Sequence, residues 1–165
     1  MVAVHDAGQI RTVAQLAREI WTEHYVPIVG QAQIDYMLDK FQSASAITAQ
    51  LADGYEYFLA IDDGQPVGYL AIVPDCHSSR MQLSKVYVRK HERGRGYGSR
   101  MLQFVEQQCV ERQIRTLWLT VNKHNADSIA CYLQLGFKNT GSVVQDIGGG
   151  FVMDDYCMGK TLPIM

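Results

Sequence analysis

Proline and charge are both scarce in this 165-residue chain, which has 4 prolines and 19% charged residues against 47% hydrophobic ones. That balance excludes a disordered or fibrous class and leaves room for a real core, so we expect a single domain over residues 1–165. Charge of one sign is also missing. With a formal net charge of -2 there is no bulk electrostatic reason to expect nucleic acid or an anionic membrane as a partner, and neither is expected. The cysteines Cys76, Cys109, Cys131 and Cys157 are spread without a C-x-x-C pair, which excludes a zinc ribbon or a thioredoxin-like motif. No metal is expected, and the thiols are read as reduced. "MVAVHDAGQI" lacks the basic start and apolar run of a signal peptide, and no apolar stretch reaches membrane length, so the expected location is cytoplasmic.

What is present is a change of period along the chain. "VAVHDA" reads as a short strand, and Ile10, Val13, Leu16, Ala17, Ile20 and Trp21 recur at helical spacing. After a break expected around Pro27 and Gly30, a second helix carries Ile34, Met37, Leu38 and Phe41 on one face. A third begins at Ser43 or Ser45 and stops at Gly54. "YEYFLAI" and "PVGYLAIV" read as strands joined through the Asp63-Gly64 turn, and "RMQLSKVYV" as another. A helix from Gly98 to about Arg112 and the strand "TLWLTV" complete a strand, helix, strand unit of the crossover kind. "NADSIACYLQLGF" is a short helix capped near Asn125 or Asp127 and ended by Gly136, followed by strands at "GSVVQDI" and "FVMDDYCMGKTL". The order predicts an α/β sandwich on one mixed sheet.

The stretch "ERGRGYGSRML" concentrates glycine between a strand and a helix start. Such a turn suits phosphate, because the first backbone N–H groups of a helix have no internal partner and its dipole favours an anion. Arg93 and Arg95 would add side-chain donors. Gly94, Gly96 and Gly98 do not complete the dinucleotide G-x-G-x-x-G, and "GKT" at Gly159 to Thr161 has Asp154 where a P-loop needs glycine. The pattern that fits is Arg93-x-x-Gly96-x-Gly98 after "LSKVYV". It resembles the pyrophosphate loop of the GCN5-related N-acetyltransferase (GNAT) superfamily. "LWLTVNKHNADSIACYLQLGF", with Asn125 seven residues before Tyr132, is similar to that family's following strand and helix. "YMLDKFQS" and the tail look like the bacterial PaiA-type diamine and spermidine acetyltransferases.

The resemblance implies a fold of the GNAT kind: a mixed, mostly antiparallel central sheet flanked by helices. It implies acetyl-CoA as cosubstrate, with its pantetheine along Val86, Tyr87 and Val88 and its pyrophosphate on Arg93, Gly94, Arg95, Gly96, Tyr97, Gly98 and Ser99. Tyr132 matches the tyrosine that protonates the leaving thiolate, and Asn125 a residue that positions the cosubstrate. The implied reaction is direct attack of an amine on the thioester in a ternary complex. The acceptor is read as a small amine or polyamine, the alternatives being a protein or peptide amine, or a catalytically silent acyl-CoA-binding module. Family relatives often form dimers, so a homodimer is an expected partner arrangement. An alkyl amine of pKa near ~10.4 is neutral only about once in a few thousand molecules at pH 7. A base is therefore needed. Relatives often carry a glutamate on the strand before the loop or on the one after the helix; the nearest positions here hold Gln82, Ser84 and Thr120, which leaves Glu23, His24, Asp154 and Asp155, or a water chain ending in one of them, as candidates. Tyr25, Tyr36, Phe151 and Tyr156 are further candidates to line a cationic acceptor.

Overall fold

Asp6 starts the first helix by a reciprocal cap. Its carboxylate accepts from the Gln9 amide at 2.8 Å, and the Gln9 side chain accepts from the Asp6 amide at 3.1 Å, opening α1 (Ala7–Val29). The predicted stripe of Ile10, Val13, Leu16, Ala17, Ile20 and Trp21 is buried. The expected break at Pro27 does not occur: the helix carries Pro27 inside it and ends at Gly30, whose φ is 88°. Proline removes one donor, that for the Glu23 carbonyl, yet the buried stripe lies upstream and only Ile28 and Val29 follow. Helix α2 (Gln31–Gln42) follows, then α3 (Ala44–Ala52), and the choice left open between Ser43 and Ser45 falls on Ser43, whose hydroxyl accepts from the Ala46 amide at 3.2 Å.

The computed structural model describes residues 1–75 and 77–163, so the reading of Cys76 as a reduced thiol lies outside the described residues. The strands are β1 (Val2–Ala3), β2 (Glu56–Asp62), β3 (Gln65–Asp75), β4 (Arg80–Val88), β5 (Thr116–Asn122), β6 (Lys138–Gly148) and β7 (Phe151–Thr161). Helix α4 (Tyr97–Glu111) joins β4 to β5, and α5 (Ala126–Gln134) follows β5. The hydrogen-bonded order is β1-β2-β3-β4-β5-β7-β6. Asp63 and Gly64, with φ of 50° and 74°, make the hairpin turn that their dipeptide predicts. Strands β4 and β5 pair in parallel, Arg80 to Gln82 opposite Thr116 to Trp118, whereas β1-β2, β2-β3, β5-β7 and β6-β7 are antiparallel. The sheet is mixed, as the order of elements predicts, and mostly antiparallel, as the family resemblance implies.

Two compact units make up the chain: Met1–Val73 with Leu83–Val105, and Pro74–Gln82 with Glu106–Met165. In the first, α2 and α3 are tied to the sheet by polar groups rather than by grease alone. Gln42, only 2% exposed, donates to the Tyr57 hydroxyl at 3.0 Å and accepts from Tyr69 at 2.7 Å. The amide therefore has both ends satisfied, as a buried polar group requires. In the second unit, Leu117, Leu119 and Val121 alternate into the core from β5, as a strand's period of two dictates. Among the described residues no helix is long and apolar enough to cross a membrane.

Candidate active site

The glycine stretch is a turn built from two different kinds of glycine. Gly94 and Gly96 have φ of 81° and 83°, a left-handed backbone that a side chain would strain. Gly98 is different: it lies in the first turn of α4, shows no such φ, and a Cβ built on it meets nothing within 4 Å beyond its chain neighbours and its own helix backbone. Nothing inside the chain asks for glycine there. A helical glycine costs roughly 0.5–1 kcal/mol against alanine. The open space at Gly98 leaves room for close approach of something outside the chain.

The arginines of the loop have partners. Arg93 Nε donates to the Val88 carbonyl at 3.1 Å, and Arg95 pairs with Glu92 at 3.0 Å. Arg100 stacks over the Tyr97 ring at 4.9 Å, and the Tyr97 hydroxyl donates to Asp62. That hydrogen bond is one reason the Tyr97 phenol is pushed up. Both predicted donors, Arg93 and Arg95, therefore have a partner within the chain.

Strand β4 leads into this turn and is held at its end. The Arg89 amide donates to the Val67 carbonyl at 2.8 Å, and its guanidinium pairs with Glu19 at 3.2 Å. Tyr87 joins an aromatic group: its ring lies 5.6 Å from Trp21, 5.5 Å from Tyr69 and 6.2 Å from Tyr25, with the Tyr25 and Tyr87 hydroxyls 3.1 Å apart. The ring of His24 meets Tyr25 edge-on at 4.8 Å. Alternation sends Val86 and Val88 to the other face. Behind β4, Gly68 of β3 is a close-approach glycine, because a Cβ there would lie 2.3 Å from the Tyr87 carbonyl oxygen.

In the second unit, Asn125 stands at the N-cap position of α5, is 5% exposed, and makes no side-chain cap hydrogen bond. A plain cap therefore does not explain it. Tyr132 is half-buried, its ring 5.6 Å from Phe137 at an edge angle, while its helix neighbour Leu133 is exposed. Tyr132 is not a core aromatic.

The four candidate bases separate clearly. Glu23 is exposed, and His24 packs on Tyr25. Asp154 forms an ion pair with Lys123 at 2.7 Å. Asp155, on the other face of β7, is 5% exposed; burial pushes its carboxyl up, partly offset by a hydrogen bond from the Thr120 hydroxyl. Because Thr120 pairs with Cys157 in register, Asp155 is its diagonal neighbour on the same face.

Of the aromatic candidates, Tyr36 already has Lys40 at 5.7 Å and Tyr156 has Lys123 at 5.5 Å over their rings, while Phe151 is half-buried. Tyr25 is brought together with Tyr87. Sequence reasoning missed Lys85, which shares the inward row of β4 with Met81, Leu83 and Tyr87. A lysine in that row was the available signal.

The sequence of the acetyltransferase (GNAT) family matches residues 13–137 of the chain. The chain belongs to that family. An uncharacterized N-acetyltransferase from the pepI 3′ region of Lactobacillus delbrueckii subsp. lactis is 31% identical over 155 residues, covering 89% of this chain and 88% of the relative. Among solved structures, the PaiA N-acetyltransferase of Thermoplasma acidophilum in complex with coenzyme A has a TM-score of 0.78 at 19% identity, covering 98% of this chain and 99% of that one. The ribosomal-protein-S18-alanine N-acetyltransferase of Escherichia coli has a TM-score of 0.73 at 15% identity, covering 100% and 95%. This GNAT protein is an N-acetyltransferase, and its fold is the family's.

Proposed function

We propose that this acetyltransferase lays the pyrophosphate of acetyl-CoA on the backbone N–H groups from Arg93 to Ser99 and its pantetheine along Val86, Tyr87 and Val88. The acetyl group then passes to a small primary amine, polyamines included, by direct attack in a ternary complex. The observation that carries the donor site is Gly98, a helical glycine with open space above it at a helix N-terminus. Replacing Gly98 with alanine is expected to raise the stability of the ligand-free protein by about 0.5–1 kcal/mol while weakening acetyl-CoA binding, two effects of opposite sign. Thermal melts with and without acetyl-CoA check both. Equal binding by the variant would remove Gly98 from the donor site.

Asn125 is assigned to positioning the donor, a role favoured by its burial without a capping bond. Tyr132 is assigned to protonating the thiolate. Of the candidate bases we favour Asp155, reached through the Thr120 hydroxyl, since burial raises its affinity for a proton. Thr120 is on the strand after the helix, where relatives often carry a glutamate, so the carboxylate would come from the neighbouring strand instead. The small-amine reading is supported by the resemblance of "YMLDKFQS" and the tail to the PaiA-type diamine and spermidine acetyltransferases; Asp154 is already paired with Lys123. A second copy of the chain is the further partner we propose, through β6, the end strand of the sheet, where Val143 and Val144 are exposed. A cytoplasmic setting fits Cys109, Cys131 and Cys157 being free thiols.

Free-thiol release from acetyl-CoA tests the acceptor, with polyamines, simple diamines, amino sugars, lysine peptides and peptides with free N-termini as the panel. Release with diamines or polyamines is the expected result. Release with peptides alone would transfer the reading to a protein acceptor. Acetyl-CoA binding without release across the panel would favour a silent module.

A further inference from the structure

Lys85 is the one buried-row side chain of β4 whose chemistry the scheme above leaves unused. Its ammonium touches the Ser84 hydroxyl at 2.9 Å and lies 5.5 Å over the ring of Tyr55, and among the described residues no carboxylate pairs with it. A cation held out of water on an aromatic face, without a counter-charge, sits at a cost that loss of its charge would relieve.

Its place along the strand matters as much as its surroundings. In the donor arrangement proposed above, on which this inference rests, pyrophosphate occupies the turn after β4 and pantetheine runs back past Val88, Tyr87 and Val86. The thioester end of the arm therefore arrives at the level of Lys85, one residue further along a strand that rises about 3.3 Å per residue.

We propose that Lys85 is an internal acetyl acceptor, modified by the enzyme's own bound acetyl-CoA. The neutral Nζ adds to the thioester carbonyl carbon, a C–N bond forms, the C–S bond breaks, and its electron pair leaves on the CoA sulfur. The proton lost from nitrogen ends on that sulfur or in solvent. The product is a neutral acetamide in a place where a cation had no partner, and the modified strand presents a bulkier group beside the donor site.

Burial pushes the Lys85 ammonium down to about 8, with Ser84 and Tyr55 as the groups facing it in the structure. About a tenth of it is then neutral at pH 7, on the order of a few hundredfold more than an ordinary lysine. Lys85 modification should therefore rise about tenfold per pH unit and level off above about pH 8, whereas exposed lysines keep rising.

The test uses the whole chain with acetyl-CoA labelled in the acetyl group, peptide mapping of every lysine over time from pH 6 to 10, and calorimetry for binding. Lys85 acetylated ahead of all other lysines, blocked by excess CoA and absent in Lys85→Arg, is the expected result. An unmodified Lys85 in protein that binds acetyl-CoA overturns this proposal and leaves the donor site standing. So does Lys85 labelling that CoA fails to block, or that proceeds equally in unfolded chain. Failure of acetyl-CoA to bind at all overturns the donor site and this proposal together.

Discussion

Gly68→Ala is expected to destabilise the protein by about 3 kcal/mol and to weaken acetyl-CoA binding in the same variant. The added Cβ would lie 2.3 Å from the Tyr87 carbonyl oxygen and 3.2 Å from the Val88 Cα, and both are backbone atoms. A flexible side chain could swing aside; a strand cannot. Relief requires β3 and β4 to part, and the amide of Arg89 on the Val67 carbonyl resists that movement at 2.8 Å. The β2–β3 register shifts between Ala60 and Ile61, next to the pairing of Ala60 with Gly68, so this part of the sheet is already irregular. Because the displaced residues are those assigned to pantetheine, the loss should appear in both the denaturation midpoint and the calorimetric affinity. An unchanged midpoint would mean that β4 has a freedom of movement the packing argument denies it.

Tyr132→Phe is expected to lower turnover by roughly 10²–10⁴-fold while leaving acetyl-CoA affinity in place. The substitution keeps the ring that meets Phe137 at 5.6 Å and removes only the hydroxyl. Folding and binding should then survive, and what disappears is the proton offered to sulfur as the C–S bond breaks. Steady-state rates set beside calorimetry separate these terms. Turnover equal to the parent would sink the assignment of Tyr132 as the acid and turn attention to solvent as the proton source.

Much of the architecture was legible because local chemistry and tertiary demand agree. Asp63-Gly64 needs two positive φ angles and obtains them; Ser43 can cap and does; the strand before the glycine turn spans Arg80 to Val88. Pro27 misled for a physical reason. Its local penalty falls on one carbonyl, while the decision to continue the helix belongs to the packing of Ile20 and Trp21 upstream. The donor loop was visible through its glycines, although the pattern does not tell Gly96, which the backbone requires, from Gly98, which it does not. Lys85 was legible only as a lysine in the inward row of β4, and Gly68 was not visible. Each takes its meaning from a neighbour distant in sequence, Tyr55 for one and Tyr87 for the other, and a one-dimensional pattern carries no such distance.

The division of the chain also has a consequence in biosynthetic time. Although the first unit is interrupted between Val73 and Leu83, every residue of it has been synthesised once Val105 is made. At ordinary rates of translation the remainder follows on the order of several seconds later. Val86 to Ser99 belong to that earlier portion, whereas Asn125 and Tyr132 emerge afterwards. On the ribosome, then, the segment assigned to the donor is complete before the tyrosine assigned to its chemistry has been added.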